Sequence, residues 1–164
     1  MELRISKYDP RFRRDDGTYN RDEWTSFSDI GKQFADGILT FVAYRHVEDL
    51  YANAIVDFFK LSSVSNLEVE ACEFCWDKAE ESDLETSAID LSVGRQISLS
   101  KLDLVIRLCL REIAWCKLRG TNHSYLHFGY DYYAYLGATH DEVKFWHPPA
   151  GIFAEPFLSP YEID

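Results

Sequence analysis

The chain has none of the short signatures that announce common enzymes. There is no H-E-x-x-H, no G-x-S-x-G and no glycine-rich phosphate loop, which removes the familiar metalloprotease, serine-hydrolase and nucleotide-binding patterns. Its five histidines, His46, His123, His127, His140 and His147, keep no metal or triad spacing. No apolar run approaches the ~20 residues of a membrane helix, and the opening MELRISKYD carries no apolar signal-peptide segment. The expectation is a cytoplasmic protein with no membrane partner. No Pro/Gly/Ser-rich linker and no internal repeat interrupts the sequence, so residues 1–164 are expected to form a single domain.

The four cysteines do not supply a local cross-link either. With Leu67 to Phe74 as a strand, Cys72 and Cys75 would be roughly 10 Å apart and on opposite faces, beyond the ~7 Å reach of a disulfide. With Ser100 to Gly120 as one helix, Cys109 and Cys116 would be two turns apart, ~10 Å along the axis. Reduced thiols packed as small hydrophobes are therefore expected. A zinc site needs a second closely spaced ligand pair, which the seven-residue separation does not provide, so no metal or other cofactor is expected.

What is present is helix and strand patterning in roughly equal measure. Leu3 and Ile5 alternate with charged residues in a first strand that Asp9-Pro10 ends. Arg11, Arg13 and Arg14 precede Asp15 and Asp16 at once, which reads as a self-neutralising surface loop rather than a nucleic-acid contact. Those acids form no calcium loop, because the sixth and twelfth places counted from Asp16 hold Arg21 and Phe27. Trp24 to Phe34 fits either a packed loop or a short helix. Thr40 then caps a long helix with a stripe of Tyr44, Val47, Tyr51, Ala54, Ile55 and Phe58, ending near Leu61. Leu67, Val69 and Ala71 alternate with Glu68, Glu70 and Cys72 in a second strand. Ser100 starts a second long helix, with Asp103 and Arg107 as an outer pair and Gly120 as its stop. Gly151 to Phe157 is a last strand, confined to an edge or a strand end by Pro156. The sum is an α+β domain, a mainly antiparallel sheet of about four or five strands covered on one face by two long helices.

Ser124 to Leu136, SYLHFGYDYYAYL, is the most distinctive stretch. As a strand it places Leu126, Phe128, Tyr130, Tyr132, Ala134 and Leu136 on one side and Tyr125, His127, Gly129, Asp131, Tyr133 and Tyr135 on the other. Gly129 marks a bulge or bend, leaving one kinked strand or two. The second side holds an imidazole, a carboxylate and hydroxyls. It is the candidate for a small-molecule or enzymatic site, although His127 and Asp131 are ~13 Å apart along an extended strand. A structural hydrogen-bonded pair, or no pair at all, is the competing reading.

Charge is the other uneven feature. From Asn66 to Asp90 there are nine acids, Glu68, Glu70, Glu73, Asp77, Glu80, Glu81, Asp83, Glu85 and Asp90, and the single base Lys78, a net of −8 against −11 for the whole chain. Such a window is either a solvated loop or an electrostatic docking face for a cationic partner.

The segments R-I-S-K-Y-D, D-E-W-T-S-F-S-D-I-G, H-F-G-Y-D-Y-Y-x-Y and E-P-F-x-S-P-Y span nearly the full length. Together they resemble a family of small bacterial immunity proteins from contact-dependent growth inhibition systems. The resemblance implies a non-enzymatic cytoplasmic inhibitor, encoded beside a secreted toxin, that binds the toxin domain and masks its active site. It carries over no binding residues. An acidic surface suits that role, because nuclease toxins must be cationic to hold nucleic acid.

Overall fold

In the computed structural model, which describes residues 1–161, the chain runs β1 (Glu2–Ser6), the two-residue strands β2 (Gln33–Phe34) and β3 (Gly37–Ile38), α1 (Phe41–Leu61), β4 (Asn66–Phe74), α2 (Trp76–Glu80), β5 (Gln96–Ser98), α3 (Leu99–Leu110), β6 (Ala114–Arg119), β7 (Tyr125–Phe128), β8 (Ala134–Gly137) and β9 (Phe153–Pro156). β2 and β3 form a separate hairpin, and the remaining seven strands make one sheet in the order β5-β4-β6-β7-β8-β1-β9. Every neighbouring pair in it is antiparallel. The fold class is thus α+β with an antiparallel sheet. The strands number seven rather than four or five, and the short α2 joins the two longer helices.

Local chemistry explains α1. Thr40 Oγ1 accepts from Ala43 N at 3.1 Å, and Ser62 Oγ donates to Phe58 O at 2.8 Å where the helix ends. Tyr44, Tyr51, Ala54, Ile55 and Phe58 are buried and Val47 is half-buried. Trp24 to Phe34 proves to be mostly loop around a single 3-10 turn, Phe27–Asp29, closed by a capping box between Ser26 and Asp29.

The second long helix differs from its sequence reading at both ends. It starts at Leu99 rather than Ser100, and it stops at Leu110 rather than running to Gly120. Glu112 takes the left-handed conformation at φ 59°. Ile113 N then bonds to Leu108 O and Glu112 N to Cys109 O, the paired bonds of a Schellman stop. Glycine is the usual residue there, so the stop left no mark in the sequence. Residues 114–119 go on as β6, and Cys116 is a strand residue.

A register shift in β4 between Val69 and Ala71 changes the faces as well. Leu67 and Val69 point into the core as expected, but beyond the bulge the inward positions are Cys72 and Phe74, opposite Cys116 and Ala114. Ala71 faces outward opposite Lys117.

The aromatic stretch is a hairpin. β7 and β8 flank a turn closed by Tyr133 N to Tyr130 O, with Asp131 and Tyr132 at φ 53° and 64°. Two consecutive positive φ values are the type I′ pattern that fits the twist of a hairpin. The preceding turn repeats it, with Asn122 and His123 both at φ 55°. Tyr132 pays for its strained backbone by burial, its ring 5.0 Å from Trp24 and 5.4 Å from Tyr51. Because the paired positions are an even number apart in the sequence, the two sides of the stretch survive the turn: Leu126 pairs with Leu136, and His127 with Tyr135.

One hydrophobic cluster joins α1 and α3 to the inner face of the sheet among the described residues. Its centre includes Ile5, Ile55, Phe58, Leu67, Leu102, Ile106 and Leu118, each fully buried. At the margins, β5 has three residues and β9 ends on Pro156, which has no N–H to offer.

Candidate functional site

The nine acids of the charged window are all exposed, but they do not share one electrostatic condition. Glu68 and Glu70 lie on the outer face of the sheet. Gln96 donates to Glu68 at 2.7 Å. Glu70 is 2.8 Å from Arg119 and 3.6 Å from Lys117, and the hydrogen bond from Arg119 holds its carboxyl below the usual range. Asp90 pairs with Arg95 at 2.7 Å. Asp83 accepts from Arg111, so it belongs to an internal network. That leaves Glu73, Asp77, Glu80, Glu81 and Glu85, none of which has an ion-pair partner among the described residues. They occupy the end of β4, α2 and the segment after it.

The internal network is what fixes that segment in place. Glu48, fully buried on α1, receives Arg111 Nε at 2.6 Å and Nη2 at 2.9 Å, and Arg107 Nη1 at 2.9 Å. Arg107 also reaches Asp49 at 2.7 Å and Asp103 at 2.9 Å, so the pair expected on the outside of α3 is part of a half-buried junction with α1. The Arg111 guanidinium lies 5.3 Å from the Phe27 ring. Through Asp83 this junction grips the acidic segment. Lys78 adds a second tie, 2.8 Å from Glu112.

Beside α2 a cleft of about 680 Å³ opens between the ends of β4 and β6, the turn after α3, and the β7–β8 hairpin. Phe74, Trp115, Tyr132 and Tyr133 give it an aromatic lining, and Trp115 Nε1 donates to Phe128 O at 2.7 Å, holding the indole between two strands. Its charged lining residues are Glu73, Glu112 and Asp131, with no lysine, arginine or histidine. Burial alone would push the Glu112 carboxyl up, but bonds from Lys78 and Ser26 hold it below its ordinary value. Two aromatic side chains stand out to solvent near this region: Tyr130 on the hairpin tip, 81% exposed, and Trp76 on α2, 72% exposed and tilted against Phe74 with ring centres 4.6 Å apart.

The aromatic side of the central stretch is split. Asp131 and Tyr133 line the cleft. Tyr125, His127 and Tyr135 are buried on the outer face of the sheet, beneath the segment that follows β9. His127 Nδ1 is 2.8 Å from Ser159 Oγ, and its ring is stacked on Tyr125 at 4.6 Å. Tyr161 closes over both Trp115 and Tyr135, with ring centres 5.7 and 5.9 Å away. His127 and Asp131 therefore do not meet, and the bend at the hairpin sends them to different environments. Gly137 is needed here, since a Cβ on it would come within 2.1 Å of the Tyr125 ring.

His46, His123, His140 and His147 remain dispersed and exposed. Among the described residues no group of three or more His, Cys, Asp or Glu side chains is placed to hold a metal ion. No helix among them is long and apolar enough to cross a membrane. The three arginines of the first loop are engaged with Asp9, Glu155 and Asn20.

Sequence reasoning found the acids and the aromatic stretch but missed Glu112, Trp115 and Phe74 as neighbours of one cleft. Trp76 inside an acidic run was the available signal. Glu112 and Trp115 carried none while they were read as parts of a helix. Comparison with protein-family models, curated proteins and solved structures finds no match to this chain.

Proposed function

We propose that this is an immunity protein, a cytoplasmic inhibitor that binds and neutralises a cationic toxin domain, with a nuclease as the expected toxin. The observation that carries the reading is the set of five exposed carboxylates with no ion-pair partner among the described residues, Glu73, Asp77, Glu80, Glu81 and Glu85, beside an aromatic cleft whose charged lining is wholly acidic. Acids that served only folding would be neutralised locally, as Glu70, Asp83 and Asp90 are. The outward-facing Trp76 and Tyr130 supply the aromatic anchors that dominate protein interfaces, and a lysine or arginine of the toxin fits the cleft between them. The resemblance to immunity proteins supports the same role.

The test is association with the toxin domain encoded beside the gene, followed by stopped flow across a salt series. Steered association reaches ~10⁸ to 10⁹ M⁻¹s⁻¹ at low salt. Reversal of Glu80, Glu81 and Glu85 to lysine should slow it at least tenfold and flatten its salt dependence. Equal on-rates and salt slopes for the two proteins would falsify the acidic docking face.

A second reading is favoured by the cleft itself, whose volume is typical of a small-molecule site. It keeps Asp131 and Tyr133 as the polar groups and leaves Tyr125, His127 and Tyr135 as packed residues. Saturable binding of a small organic cation, lost in Asp131→Asn while toxin association is unchanged, would favour it over the first.

A further inference from the structure

The inward turn of β4 after its bulge brings together two thiols that the sequence had kept far apart. Cys72 and Cys116 are direct cross-strand partners on β4 and β6, and their Sγ atoms are 3.3 Å apart. Directly opposed residues of an antiparallel pair have Cα atoms ~4.5 to 5.5 Å apart, inside the ~4.4 to 6.8 Å range that a disulfide accepts. Side-chain rotation without strand movement is enough to bring the sulfurs into bonding range. The two differ in access: Cys116 is fully buried, whereas Cys72 is partly exposed. Cys109 contributes a third sulfur next to Cys116 on the helix side.

We propose that Cys72 and Cys116 form a two-electron oxidation site, which a small disulfide converts to a cross-strand disulfide between β4 and β6. In the first step the Cys72 thiolate attacks one sulfur of the small disulfide, forming a mixed disulfide and expelling one small thiolate. Cys116, as thiolate, then attacks the Cys72 sulfur and expels the second. Two protein thiols are oxidised, one small disulfide is reduced to two thiols, and the two protons from the cysteines end on the released thiolates. The mutual hydrogen bond and burial raise the Cys72 thiol, and the contact with Cys109 raises Cys116, so the exchange is slow near neutrality and faster in alkali. Once formed, the bond closes a long loop, with 44 positions between its ends, that contains α2 and all of α3. It also fixes the wall of the cleft that Glu73 and Phe74 begin.

The test uses the full-length native chain with excess oxidised glutathione at pH 8.5, followed by thiol counting in denaturant and non-reducing peptide mapping. One peptide linkage should join Cys72 to Cys116, so that both leave the free-thiol count. The melting temperature should rise by about 10 °C, reversed by dithiothreitol, as expected for cross-linking a loop of this length in a chain of this size. Cys116→Ser should stop at the first step and carry glutathione on Cys72. Four thiols after prolonged exposure, glutathione confined to the exposed Cys75, or a linkage joining any other pair would overturn the proposal. The wild-type map decides it even if the serine variant does not fold.

Discussion

Two regions of this molecule are dense in charge and treat it in opposite ways. At the junction of α1 and α3 each carboxylate meets a guanidinium: Glu48 takes Arg107 and Arg111, Asp49 takes Arg107 and Arg45, and Asp103 takes Arg107. Along α2 and the segment after it, Asp77, Glu80, Glu81 and Glu85 have no such partner among the described residues. The two regions touch at Asp83, the one acid of the window that reaches back to Arg111. The difference shows why a net charge read over a window of sequence does not describe a surface. Asp83 is claimed for the fold by an arginine 28 positions away and Glu48 by the same arginine from 63 positions away, so sequence proximity does not decide which acids are left to solvent.

The largest way to break the comparison is to remove the buried acid. Glu48→Ala leaves Arg111 and Arg107 facing one another without their shared carboxylate, and is expected to destabilise the fold by about 3–5 kcal/mol. Chemical denaturation of the two proteins measures it, and a loss below that of an ordinary surface substitution would show that the junction is not what holds the helices together.

Lys7 is a buried charge that is only partly compensated, and it sharpens the contrast. Burial pushes its amine down to about 8, opposed by Glu23 at 3.2 Å. Between that value and the ordinary lysine range near 10.4 the unfolded chain binds a proton that the folded chain has lost, so stability rises with pH across this window. The rise should be on the order of 3 kcal/mol. In Lys7→Met it should disappear, so the two stability curves converge toward pH 10; parallel curves would remove Lys7 as its source.

Acid should cost stability through the paired region, whose carboxylates are held ionised by their partners. Burial would raise the Asp49 carboxyl, but hydrogen bonds from Arg107 and Arg45 hold it below its ordinary value. A carboxylate depressed in the folded state stabilises above its unfolded value, near 3.9, and that contribution is lost as pH falls further through the folded value. Asp49→Asn should therefore flatten the acid limb of a stability titration below about pH 4. An unchanged limb would place the acid sensitivity elsewhere.

The smallest effect on folding is expected where the effect on binding is greatest. Reversal of Glu80, Glu81 and Glu85 should leave the melting temperature within about 2 °C, as for surface positions without partners. Adding Asp83→Lys to the set should lower it clearly, because the new lysine would face Arg111. A matching loss in both variants would erase the distinction between the two regions.

Much of this architecture was legible wherever a local signal coincided with a local structure. Thr40 and the stripe from Tyr44 to Phe58 were enough for α1, and Pro156 for the edge position of β9. The failures share one cause, which is a backbone conformation adopted by a residue that does not advertise it. Glu112 ends α3 where a glycine was expected at Gly120, Asp131 and Tyr132 make a hairpin turn without Asn-Gly, and the bulge beside Glu70 reverses the faces of Cys72 and Phe74. In each case tertiary contacts override the local preference, as burial of the Tyr132 ring does. The acidic character of the site was visible, but not its division, because Arg119 was assigned to a helix instead of β6 and the contact from Arg111 to Asp83 is tertiary. The cleft was invisible because four separate segments build it.

The margins of the sheet bear on how a partner can bind. β5 offers an incoming strand only three residues, and β9 ends on a proline. Partners that recognise a sheet by extending it depend on main-chain hydrogen bonds, which are nearly blind to side-chain identity. Such margins discourage that mode, and they discourage copies of this chain from joining edge to edge into fibrils. In the proposed role, recognition is left to side chains on the solvent face, where single substitutions alter the contact surface without disturbing the hydrogen-bonded frame. Substitutions on α2 and at the hairpin tip therefore change the exposed surface while the strand ladder stays constant.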